Sequence, residues 1–137
     1  MIECEISFDR LRIDFVSAAA LLSETYWGKD RREGDQLDAF SNSICAAAFH
    51  QSNQIGFGRA ITDRRFHAHL CDIVVWPDWR EKGIGKRLVR AFLEHAELAR
   101  VSSWSLHTND AHSLYEKFGF ERSADGTYMR LNRRPTT

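Results

Sequence analysis

The chain has 137 residues, enough for one domain that buries roughly two-thirds of its unfolded surface, so a core needs no disulfide or metal support. Apolar residues make up 43% and charged residues 28%, which excludes wholesale disorder. Nineteen basic and nineteen acidic side chains cancel, so no global field directs the protein to nucleic acid or to an anionic membrane. No apolar run approaches the ~20 residues of a membrane span, and the start M-I-E-C-E-I lacks the pattern of a secretory signal. Cys4, Cys45 and Cys71 are far apart, with no C-x-x-C pair. They read as small core residues in a reducing, cytoplasmic setting, and no metal site is expected.

Pro77 and Pro135 are the only prolines, and no linker, repeat or low-complexity tract interrupts the chain. Residues 1–137 therefore read as a single domain, with a polar tail expected to fray from Asn132 to Thr137. Residues 2–7 suggest a short strand. Asp14 is placed to cap a helix that carries Phe15, Ala18, Ala19 and Leu22 at three-four spacing. Leu37, Phe40 and Ile44 fit a second helical stripe that starts near Gly34 or Asp35. Ile44 to Phe49, followed by alternating Ile55, Phe57 and Ile61, predicts a hairpin with its turn near Ser52. Asp63 and Arg64 mark a second turn. Leu70 to Trp76 is nearly continuous and β-branched, as a buried central strand is, and Pro77 ends it.

The clearest helix follows. Ile84, Leu88, Val89, Phe92, Leu93 and Ala96 form one stripe, with Lys86, Arg87, Arg90, Glu94 and Glu97 opposite. Trp104 and Leu106 alternate with Ser103, Ser105 and His107, as in a half-buried strand. Ala111, Leu114, Tyr115 and Phe118 make a short helix that Gly119 closes, and Thr127 to Leu131 is a last strand. The strand–helix–strand crossover from 70 to 107 gives an α/β class.

The loop Arg80-Glu81-Lys82-Gly83-Ile84-Gly85-Lys86 joins the buried strand to the amphipathic helix. Two glycines let backbone N–H groups approach a ligand, and the positive end of a helix lies beside them. The segment is basic within a neutral protein, so a phosphate or pyrophosphate is its natural occupant. A Walker loop needs four residues between Gly and Gly-Lys, and only Ile84 stands between Gly83 and Gly85. A dinucleotide fingerprint wants a third glycine where Leu88 stands.

V-x-W-P-D-W-R-E-K-G-I-G-K-R-L-V resembles the acyl-CoA-binding motif of the GCN5-related N-acetyltransferases, with Arg80, Gly83 and Gly85 on its three marked positions. A-H-S-L-Y-E-K-F-G-F, Ala111 to Phe120, is similar to a second signature of that family, in the right order and one helix and one strand downstream. The resemblance implies an α+β fold: a mixed, mostly antiparallel twisted sheet of about six to seven strands, with about four helices. A parallel pair would splay at the cofactor site. It implies acetyl-CoA as co-substrate, its pyrophosphate on the loop amides at 82–86 and its pantetheine amides paired with the backbone of Ile73, Val74 and Val75. An N–H at Val74 or Val75 would polarise the thioester carbonyl. The family's pantetheine-binding Asn falls at Thr108, and Asn109 beside it is the candidate for that contact.

Tyr115 occupies the family's acid position, four residues after Ala111, and would protonate the leaving thiolate. His67 and His69 alternate on one face, so His69 is a candidate base; Asp72 and ordered water are the alternatives. The other histidines, His50, His95, His107 and His112, read as ordinary surface or half-buried residues. Tyr26, Trp27 and Glu33, between the first two helices, are candidates for the acceptor site. The leading expectation is direct acetyl transfer, in a ternary complex, to a primary amine of a small molecule. A protein lysine or N-terminal acetyltransferase and an acyl-CoA sensor without turnover are the alternatives; association into a homodimer stays open.

Overall fold

Asp14 starts the first helix as expected. Its carboxylate accepts the Ser17 N–H at 3.0 Å, which opens α1 (Phe15–Leu22). Its backbone is tied to the sheet by a reciprocal pair of hydrogen bonds with the Gln54 amide, at 2.9 and 3.0 Å. In the computed structural model, residues 3–124 and 126–134 are described. The order is β1 (Glu5–Ser7), α1, α2 (Glu33–Ser41), β2 (Ile44–His50), β3 (Asn53–Thr62), β4 (His67–Val75), α3 (Ile84–Leu93), β5 (Ser103–His107), α4 (His112–Glu116), β6 (Glu121–Arg122) and β7 (Tyr128–Asn132). Short 3-10 turns at Pro77–Trp79 and Ala96–Leu98 bracket α3. Among the described residues the strands form one seven-stranded sheet, ordered β1-β2-β3-β4-β5-β7-β6, in which only β4 and β5 run parallel.

Two apolar layers hold the sheet. On one face, Leu88, Val89 and Phe92 of α3 pack with Ile55, Leu70, Trp104 and Met129. On the other, Ala18 and Leu22 of α1 and Phe40 of α2 pack with Ala47, Phe57 and Val74. Glycine lets α3 come close: a Cβ at Gly56 would lie 3.1 Å from both Ile84 Cγ2 and Leu88 Cδ1.

A bulge divides β4. Arg59 pairs with Cys71 and Phe57 with Val74, so Asp72 and Ile73 together oppose Gly58. Asp72 takes a left-handed φ of 56°. The extra residue reverses which parity faces α3. Before it, Ala68 and Leu70 pack there; after it, Ile73 and Val75 do, and Val74 turns to the α1–α2 side. The β3–β4 turn is fixed by Asp63, whose carboxylate accepts the N–H groups of Arg65, Phe66 and His67 and is held down to about 2 by those bonds.

Several boundaries differ from the sequence reading. Ile44 belongs to β2 and not to the second helical stripe, because α2 ends at Ser41. The long helix ends at Leu93, not at Ala96; His95 is extended and its ring accepts the Glu97 N–H, which starts a separate turn. Ser105 is buried together with Trp104 and Leu106, so β5 is covered on both faces at its centre. The two-residue β6 carries no pattern of its own. The chain does not fray at Asn132, which pairs with Ser103, and Arg133 binds the Ser102 and Leu93 carbonyls. Ile2 of the first strand and residues 135–137 of the tail lie outside the described residues.

Leu88→Ala should lower the unfolding free energy by about 2–5 kcal/mol, since Leu88 is fully buried, and Asp14→Ala by about 1 kcal/mol through loss of the cap. Urea denaturation of both variants checks the order.

Candidate active site

The β4–β5 pairing covers only His67 to His69 against Ser103 to Ser105. Beyond it the two strands part, while β5 stays paired with β7 as far as His107 and Tyr128. The edge of Ile73–Val75 that faces β5 therefore has no ladder partner in the described sheet. At the end of β4, Arg80 Nε donates to the Val75 carbonyl at 3.1 Å. The following loop carries two left-handed residues, Glu81 (φ 64°) and Gly83 (φ 81°). Gly83 is the N-cap of α3, and a Cβ built on it meets nothing within 4 Å. The amides of the first turn thus open onto an unobstructed cradle beside Lys82 and Lys86.

A cleft of about 400 Å³ lies between the parted strands and the α1–α2 loop. Tyr26 and Trp27 cover it from that loop, His69 and Cys71 line it from β4, His107 from β5, and Tyr115 from α4. Asn109 Nδ2 donates to the Tyr26 hydroxyl, so a hydrogen bond bridges the mouth. Thr108 acts locally instead, since its hydroxyl accepts the Ala111 N–H at 3.0 Å ahead of α4. Glu33 does not join this group; it begins α2, exposed, and takes no part in the cleft lining.

Asp72 anchors the cover. Its carboxylate accepts from Arg59 Nε at 2.7 Å, from Arg31 Nη1 at 3.0 and 3.1 Å, and from Trp27 Nε1 at 3.2 Å. Burial pushes this carboxyl upward, but the bonds and charges of Arg31 and Arg59 outweigh burial and hold it below the usual carboxylate range. A side chain held by four donor contacts at full charge is a structural hub.

These features have counterparts in known proteins. Residues 41–122, more than half of the chain, match the family described as "Acetyltransferase (GNAT) domain". The chain belongs to the GNAT family.

A crystal structure of a protein from Xanthomonas campestris pv. campestris, described as belonging to the GNAT family, superposes with a TM-score of 0.83 at 33% identity, over 90% of this chain and 88% of the other. A protein of Pyropia yezoensis described as "Uncharacterized N-acetyltransferase ycf52" is 34% identical over 76 residues, 55% of this chain and 44% of that protein. The chain spans about half the length of the curated relatives it matches. An aminoglycoside 6'-N-acetyltransferase complexed with coenzyme A shares the fold, with a TM-score of 0.73 at 20% identity over 96% of this chain and 99% of the other. Among the described residues no helix is long and apolar enough to cross a membrane.

Within this GNAT fold three groups of the cleft, His69, Tyr115 and Cys71, are tuned toward neutrality, whereas Asp72 is held charged. Burial lowers the His69 imidazole below its usual value, and His107, His67 and Arg59 push the same way. Burial raises the Tyr115 phenol to about 12, with a smaller push from Asp110. Burial also raises the Cys71 thiol to about 12, against the pull of Arg59. Cys71 is only half-buried and lines the cleft, unlike the buried Cys4 and Cys45. His107, read from sequence as an ordinary histidine, stands 5.8 Å from His69 between ring centres. The signal that could have found it is the two-residue period of Ser103, Ser105 and His107, once the β4–β5 register is known.

Asp72→Ala should destabilise the protein by about 3–5 kcal/mol, because it leaves Arg59 buried without its partner. The pH sign follows. The Asp72 pKa is depressed on folding, so its contribution is complete above the unfolded carboxylate value of about 3.9 and is lost as pH falls through the lower folded value. Wild type should therefore lose stability more steeply than Asp72→Asn below about pH 4, measured by thermal melts from pH 2 to 7.

Proposed function

We propose that this protein is an acetyl-CoA-dependent N-acetyltransferase that acts on a primary amine of a small molecule. The observation that carries the proposal is the parting of β4 from β5 directly above a glycine-opened helix start, with His69 and Tyr115 in the same cleft. A pyrophosphate fits the amides of 83–86, and the unpaired edge of Ile73–Val75 fits the amides of a pantetheine arm. The coenzyme A bound to a fold relative of this chain supports that ligand class.

Acetyl transfer from a thioester to an amine needs a neutral amine and a proton for the departing thiolate. His69 is held neutral at physiological pH, so it can take the amine proton. Tyr115 stays protonated over the same range and can donate. Both groups share one cleft, which favours direct transfer in a ternary complex, and the Cys71 thiol is too weakly acidic to serve as an intermediate nucleophile. The Tyr26–Asn109 bridge closes the mouth to an extended peptide and favours a small acceptor. Asn109, bound this way, would act first as part of the cover and reach a pantetheine arm only when the bridge opens. Three free thiols suit the reducing cytoplasm.

Gly85→Asp tests the phosphate cradle. Gly83 is unsuitable, since its positive φ strains any side chain, whereas a Cβ at Gly85 would come no nearer than 4.0 Å to Leu114. An acidic residue in the first turn favours the helix dipole, so folding should be preserved while a pyrophosphate is repelled. The melting temperature should hold, and its rise on adding CoA should disappear.

Tyr115→Phe should keep CoA affinity and lose kcat by roughly 10²–10⁴-fold. His69→Ala should lose less, and its deficit should shrink as pH rises and more amine is already neutral. Steady-state rates against pH, with an amine panel and acetyl-CoA, check both. An unchanged Tyr115→Phe rate would return that residue to packing.

A further inference from the structure

Ser105 is 2% exposed, yet its hydroxyl has two imidazole neighbours. Oγ lies 2.7 Å from His69 Nδ1 and 2.9 Å from His67 Nε2. The parallel register places it there: His69 is level with Ser105 and His67 with Ser103, so side chains of one face alternate across the two strands. His67 is exposed, and its Nδ1 lies 3.3 Å from Ser103 Oγ. His69 is half-buried and lines the cleft. With Nδ1 on Ser105, the nitrogen left to His69 for the cleft is Nε2.

The surroundings of His69 oppose storing a proton there. Arg59 from β3, Arg31 from the α1–α2 loop, His107 from β5 and Arg130, level with Ser105 on β7, are all cationic or can become so. Cys71 and Tyr115 stay protonated and offer no charge. Of the two carboxylates that line the cleft, Asp72 is already shared between two guanidinium groups, and Asp110 is exposed and acts on Tyr115. His69 therefore lacks the carboxylate partner that would stabilise its imidazolium, and a base in this setting needs an outlet.

We propose that Ser105 and His67 form that outlet, a proton relay from the cleft to the surface. The inference rests on the acetyltransferase reading. At the start both imidazoles carry hydrogen on Nδ1. The acceptor ammonium gives a proton to His69 Nε2. The His69 Nδ1 proton passes to Ser105 Oγ, the Ser105 proton passes to His67 Nε2, and His67 releases its Nδ1 proton past Ser103 to water. One proton enters and one leaves; both rings end in the opposite tautomer, and exchange with water restores the first. Ser105 and His67 are positioning and relay residues that never touch the acceptor.

Ser105→Ala removes only the hydroxyl, and His67→Gln changes an exposed side chain, so both should fold. In dilute buffer each should slow turnover by about tenfold, part of the ~10²–10⁴ that positioned proton transfer contributes. The double variant should be no slower than either single one, because the links act in series. Added imidazole should restore both rates and leave wild type unchanged. A ring-nitrogen NMR titration without any substrate reads the chain independently. His67 and His69 should titrate as a coupled pair in wild type and as independent groups in Ser105→Ala. Wild-type rates in both variants, losses that imidazole does not relieve, or titrations that Ser105→Ala leaves unchanged would each overturn the relay. Absence of acetyl transfer to every amine would instead sink the acetyltransferase reading, and the titration would still decide whether the imidazoles are linked.

Discussion

The bulge at Asp72 is the constraint from which the site follows. A strand with unbroken two-residue alternation would have kept the parity of Ala68 and Leu70 facing α3 through to Val75. The extra residue shifts that parity, so β4 serves two purposes along its length: His69 and Cys71 line the cleft, and Val74 packs under α1 and α2. A left-handed aspartate in a strand is costly by itself. Here it is held by Arg59 from the neighbouring strand and by Arg31 and Trp27 from the loop above. The group that strains the strand is also the group that fastens the cover, so the depth of the cleft and the shape of the sheet depend on one carboxylate.

The second consequence is the parting of β4 and β5. The strands share three register pairs and then separate. Open backbone between parallel strands would normally be a defect. In this fold it lies above the start of α3, where the amides of the first turn are also open. Two sets of unpaired backbone groups, the Ile73–Val75 edge and the first turn of α3, thus follow one another along the chain, which suits a ligand that carries phosphates at one end and amides along its length. Family membership agrees with that reading from outside the chain.

The cleft is kept uncharged at its centre although arginines surround it. Burial favours neutral imidazole at His69 and neutral phenol at Tyr115, which are the forms that an acceptor of protons and a donor of protons require. The one carboxylate deep in the wall, Asp72, is neutralised by guanidinium groups and does not compete. Electrostatics and connectivity are therefore linked: an imidazole that is a poor store for a proton sits one hydroxyl away from an exposed imidazole.

The amino-acid sequence by itself determined most of the elements and the glycine loop that opens α3. Hydrophobic spacing is local, so α3, β4 and the cap at Asp14 were legible within a few residues, and Gly83 and Gly85 show in the chain the backbone freedom they provide in space. Tyr115 stood out through its signature, and the structure puts it in the lining of the cleft. Ile44 was misread because helical and strand spacing overlap where α2 runs almost directly into β2. Tertiary structure alone decided what crosses between elements. The choice between Asp72 as a base and Asp72 as a hub needed Arg59 and Arg31, which approach from two other segments. The entry of His107 and the meeting of His67, Ser105 and His69 needed the β4–β5 register, and the exclusion of Glu33 needed the placement of α2. Register depends on long-range pairing energies and on a one-residue bulge, and neither leaves a periodic trace in the chain.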